Sequence, residues 1–143
     1  MKKFIICGLI AFSAMATTLT SCGKYDDGPS VSLLTKKSRI VNTWSIEKYT
    51  ATTASGSSTD LTSFVSDYSI EFKKDGTYTI IWGSATESGT WVLSDNKEDI
   101  ITTSSAANSS PSTDHILKLK SKEMWTKYTY SNGDYDEIHY KQK

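Results

Sequence analysis

From Thr43 onward, apolar and polar residues alternate in short runs. Alternation with a period of two marks strands that bury one face. Eight runs show it: Thr43–Thr50, Asp67–Lys73, Thr77–Trp82, Ser88–Leu93, Asp99–Thr103, His115–Lys120, Met124–Tyr130 and Tyr135–Lys141. Tyr68, Ile70 and Phe72 share one face, as do Tyr78, Ile80 and Trp82, and Trp91 with Leu93. In the sixth run, Leu117 and Leu119 oppose Lys118 and Lys120. Asp75-Gly76 and Asn132-Gly133 are hairpin signals, and Ser94-Asp95-Asn96 is a further turn. Ahead of Thr43 the period changes. Leu33, Leu34, Lys37, Ile40 and Val41 stand at helical spacing, which predicts a short amphipathic helix over Val31–Val41 with Ser30 or Ser32 as its N-cap.

Eight short strands without a long intervening helix predict an all-β antiparallel meander. Such a meander leaves two unpaired edges, and closure into an up-and-down barrel removes them; eight strands suffice. The predicted fold is therefore an eight-stranded barrel with a short N-terminal helix. Connection lengths add an orientation. The links 51–66 and 104–114 are long and fall on one end, with the links 82–87 and 131–134. The tight turns fall at the other end, where the helix enters. The helix should plug that end and leave a loop-rich mouth opposite.

The first residues carry a different signal. Lys2 and Lys3 precede the apolar run Phe4–Ala16, which is too short to span a bilayer and has the form of a signal-peptide core. Leu19-Thr20-Ser21-Cys22 follows and resembles the lipobox of bacterial lipoproteins. That resemblance implies a signal peptide over 1–21, acylation of Cys22, a tether over 22–30 and a folded domain over 31–143. Two or more acyl chains give a stable membrane anchor, where one is marginal. Past Cys22 the eight residues Gly23 to Ser30 reach at most about 26 Å from the membrane. Their Lys24, Asp26 and Asp27 resemble the surface-export signal of Bacteroidota-type lipoproteins; a plain charged linker is the other reading. The expected location is the outer membrane, on its periplasmic or its surface face, with the barrel mouth pointing away from the bilayer.

Removing 1–21 leaves 122 residues, enough for one domain, with 14 basic and 16 acidic side chains. A net charge near −2 without a basic stripe along the chain argues against nucleic acid. Cys7 leaves with the signal, so no thiol beyond the anchor is expected for a disulfide, a metal or catalysis. No hydrolase, metalloprotease, phosphate-loop or dinucleotide motif occurs, and the chain is expected not to be an enzyme and to need no cofactor.

The order of pieces resembles the lipocalin-like domain of small bacterial lipoproteins: a short helix, Trp44 opening the first strand, Phe72 to Tyr78, Gly89-Thr90-Trp91 and a closing hairpin over 130–140. The resemblance implies a calyx for a small apolar or amphipathic ligand. The residues best placed to line it are Trp82, Tyr78, Trp44 and Trp91, with Trp82 nearest the mouth. The alternative is a filled barrel, in which these aromatics are core and end-plug residues and the loops contact another envelope protein. His115 and His139 lie on non-adjacent strands, so pairing them with Asp114 or Glu137 around a metal is disfavoured. Asp134, Asp136 and Glu137 lack the pattern of a calcium loop and read as a solvated turn.

Overall fold

Each of the eight alternating runs is a strand in the computed structural model, which describes residues 33–143. The signal, Cys22 and the tether lie outside the described residues. A five-residue helix, α1 (Lys36–Ile40), leads into β1 (Asn42–Thr52). Then follow β2 (Ser58–Asp60), a 3-10 turn (Thr62–Val65), β3 (Tyr68–Phe72), β4 (Thr77–Trp82), β5 (Ala85–Leu93), β6 (Asp99–Ser104), β7 (Ser112–Leu119), β8 (Glu123–Thr129) and β9 (Tyr135–Gln142). From β3 to β9 every strand pairs antiparallel with its successor, and β9 pairs with β1 to close the barrel. On its other edge β1 pairs with β3 through 42–45 and with β2 through 50–52. The strand β2 is an addition to the predicted eight. Its three residues, Ser-Thr-Asp, are all exposed, so no buried face announces it in the sequence.

The helix is shorter than predicted. Thr35, not Ser30 or Ser32, is the cap, and its hydroxyl accepts from the Ser38 amide at 3.1 Å. Leu33 and Leu34 precede it and are exposed. Only Ile40 of the helix is buried. A second correction concerns β7. A bulge between Ile116 and Lys118 makes Leu117 the extra residue, so Ile116 and Leu119 point into the core, both fully buried. A bulge flips the alternation on one side of it, and Leu117 is left half-buried.

The helix closes the end that carries the tight turns. Trp44 is 0% exposed, and its indole N–H donates to the Ile40 carbonyl at 2.9 Å. Trp91 is 1% exposed, and its N–H donates to the Lys73 carbonyl in the β3–β4 turn at 3.0 Å. The Lys36 ammonium donates to the Lys97 carbonyl in the β5–β6 turn. Phe72 packs edge-on against Trp91 with ring centroids 5.2 Å apart. At the opposite end, the Ala54 amide donates to Asp134 at 2.7 Å and ties the β1–β2 link to the last hairpin. The mouth and the helix are thus at opposite ends. Gly89 explains why a glycine precedes Thr90-Trp91. A Cβ there would sit 2.1 Å from the Thr103 carbonyl oxygen and 2.7 Å from the Tyr78 ring.

Candidate functional site

Above the closed end the barrel is not filled. A cavity of about 280 Å³ opens toward the mouth. Strand alternation aims residues from seven strands, β3 to β9, into it. Ile70, Phe72, Ile100, Met124 and Ile138 give it apolar walls. Tyr68, Glu87, Ser112 and Asp114, from the mouth-side halves of β3, β5 and β7, give it a polar upper part, and Tyr78, Thr126 and Tyr140 add hydroxyls. No lysine or arginine lines it.

Phenols and carboxylates dominate the polar part. Tyr78 donates to Glu87 at 2.7 Å. Burial, then this bond, pushes the Tyr78 phenol up to about 12. Tyr68 and Tyr140 are also raised, mainly by burial, with the neighbouring Asp114 adding to both. These phenols stay protonated at neutral pH and act as hydrogen-bond donors. Asp114 is pushed up to about 6 by burial, which a hydrogen bond with Ser112 partly offsets, and the charge of Asp136 contributes. Asp136 stands at the rim, where one of its oxygens accepts from both Tyr49 and Tyr130, each at 2.8 Å. That bond, then burial, raises Tyr130 to about 12.

The four aromatics singled out from sequence separate. Tyr78 is on the cavity wall. Trp44 and Trp91 lie in the closed end. Trp82 ends β4 at the mouth, 54% exposed and outside the cavity lining. Trp125 does not line this cavity. It stacks on His139 at 3.9 Å with the rings 5° from parallel, and the Lys118 ammonium lies 3.9 Å from its centroid. The histidines are apart in their partners: His115 contacts Asp99 at 2.8 Å and His139 contacts Glu137 at 2.7 Å. Among the described residues, no group of three His, Cys, Asp or Glu could hold a metal ion. Asp134 and Asp136 do more than a solvated turn requires, since one secures the β1–β2 link and the other accepts two phenols.

Sequence reasoning did not pick out Tyr68, Glu87, Asp114 and Tyr140 as a group. For Asp114 the predicted register pointed the wrong way: with Leu117 and Leu119 inward, residue 114 falls on the outer face, and only the bulge at Leu117 turns it into the cavity with Ile116. Glu87 has the matching parity with Gly89 and Trp91 on β5.

No protein-family model matches the chain, and no curated protein matches it. Among solved structures, the chain is similar to the crystal structure of a DUF4847 family protein from Bacteroides vulgatus, with a TM-score of 0.51 and 12% sequence identity. The match covers 73% of this chain and 94% of that one. At that identity the likeness is one of fold.

Proposed function

We propose that this chain is a lipid-anchored, lipocalin-like barrel of the outer membrane that binds a small amphipathic molecule in its mouth. The observation that carries the reading is the cavity: 280 Å³, apolar at the sides and ringed above by phenols and carboxylates. Small-molecule sites range from about 300 to 1,000 Å³ and combine apolar walls with a few placed polar groups. This cavity is at the lower edge of that range and suits a single ring or a short chain. Its upper part holds Glu87 and Asp114 without a cation, which favours a ligand head that donates hydrogen bonds or carries an amine. Acylated Cys22 would hold the barrel at the bilayer. In this reading the protein acts as a carrier or receptor, and the carboxylates beside Tyr78 and Ser112 serve to orient the ligand.

A second reading has its own observation. Phe64 and Trp82, 72% and 54% exposed, stand at the mouth end beside the loops. Exposed aromatics of this kind suit a protein contact. Native mass spectrometry on protein purified from its own host separates the two. A small molecule that leaves on denaturation supports the carrier. A bare mass, with no binding from a host lipid extract, overturns it in favour of the contact surface. Acyl labelling of the same preparation tests the anchor, and label that persists in Cys22→Ala overturns that part.

A further inference from the structure

The fold sorts charge along the barrel axis, although the sequence shows no basic stripe. The mouth links, 53–67, 83–84, 105–111 and 130–134, contain Asp60, Asp67 and Asp134 and no lysine or arginine. The closed end is the reverse. Its segments are 33–41, 73–76, 94–98, 120–122 and Lys143. Together they hold nine lysines and arginines against Asp75, Asp95 and Glu98. Each segment contributes one to three bases, so no window of sequence displays the patch. Lys73, Lys74, Lys120 and Lys122 are exposed, and the β3–β4 and β7–β8 turns present them on the end face. An open groove of about 360 Å³ beside α1 carries Lys37 and Lys74. Leu33 and Leu34 are exposed immediately before α1.

From this arrangement we infer that the closed end docks on an anionic phospholipid surface. The turns and the helix of this end, with a surplus of six positive charges among the five segments, match the negative potential of such a bilayer. Exposed leucines beside lysines suit the headgroup boundary, where apolar side chains enter and ammonium groups stay at the phosphates. The described chain begins at this same end, at Leu33, whereas the acidic mouth is repelled by the same surface. Docking therefore fixes the axis upright and keeps the cavity open to the surroundings. This inference stands apart from the ligand reading, because it uses no cavity residue.

The test uses the chain from Gly23 onward without lipid; the closed barrel of β1 and β3–β9 and the core described above lie within 33–143 and are contained in it. Cosedimentation is measured with vesicles of phosphatidylglycerol and phosphatidylcholine, and with phosphatidylcholine alone. Binding is expected to the first only, and to disappear at about 0.5 M salt, where the screening length falls to a few ångströms. Changing Lys73, Lys74, Lys120 and Lys122 together to glutamine is expected to lower partitioning by about fivefold per lysine. Near-ultraviolet circular dichroism checks that this variant keeps its packing. Trp82→Ser, at the other end, is expected to leave partitioning unchanged. Equal binding to both vesicle types, no binding to either, or full binding by the glutamine variant overturns the inference. So does tight binding to duplex DNA in the absence of vesicle binding.

Discussion

At the closed end, Trp44 and Trp91 are all but inaccessible and each indole N–H has a backbone carbonyl. At the mouth, Trp82 is more than half exposed, and the space below it is lined by phenols and carboxylates rather than filled by side chains. The same alternation of aromatic and polar residues builds both ends. The difference lies in what covers them. The helix adds Ile40 to the closed end as a lid, so aromatics there complete a core. The mouth has links in place of a lid, and polar groups remain on the inner face. Aromatic content alone therefore does not separate a filled barrel from a hollow one. In this chain the two conditions occupy opposite ends of one barrel.

The largest effect that sharpens this contrast comes from truncating the indoles. Trp44→Ala removes a fully buried side chain and a satisfied hydrogen bond, and is expected to cost about 3–5 kcal/mol in denaturant unfolding. Trp82→Ala is expected to stay within about 0.5 kcal/mol, the range of ordinary surface changes. Equal losses at the two sites would mean that the mouth is packed as tightly as the closed end. Gly89→Ala comes next. Its Cβ meets the Thr103 backbone and the Tyr78 ring at the junction between floor and cavity. Overpacking of this kind costs about 1–3 kcal/mol, and because the Tyr78 ring must move, the loss should appear with a change in near-ultraviolet circular dichroism. Unchanged stability would show that β5 can shift away from its neighbours.

Much of the fold was legible because barrel strands obey one rule at a time. Tyr68, Ile70 and Phe72 alternate without interruption, and Asp75-Gly76 fixes the next turn, where Gly76 has a φ of +88° that other residues rarely adopt. Long and short links then gave the two ends correctly. What failed did so where a local exception breaks the period. The bulge at Leu117 exchanges the faces of β7. β2 has no buried residue to reveal it. The site was harder to read. Trp44 and Trp91 look the same as Tyr78 in a periodic pattern, and only the position of the helix decides which of them reaches the cavity. Asp114 sat just outside the predicted strand, in a stretch whose polarity resembles a loop. The basic end was invisible because its charges come from five separate segments.

Asp114 supplies the smallest effect and the most informative one, because it opposes fold stability to ligand binding. Its carboxyl is raised to about 6 in the folded chain, chiefly by burial, against about 3.9 when unfolded. Below about pH 4 both states are protonated and burial carries no penalty. Between about pH 4 and 6 the unfolded chain gives up the proton while the folded chain keeps it, so stability falls as pH rises. Above about pH 6 the folded barrel holds a poorly solvated charge and the full loss is in place. Asp114→Asn removes the charge at little change in volume. It is expected to stabilise the barrel by about 1–2 kcal/mol at pH 7.5, after allowance for solvent screening, and to match the parent chain near pH 4. Urea unfolding at the two pH values measures this, and a gain that is the same at both would assign it to packing instead. A group kept at a cost to the fold fits a role in binding. The same variant should therefore weaken binding of an amine-bearing ligand, and the parent chain should lose that affinity as pH drops below about 6 and Asp114 becomes neutral.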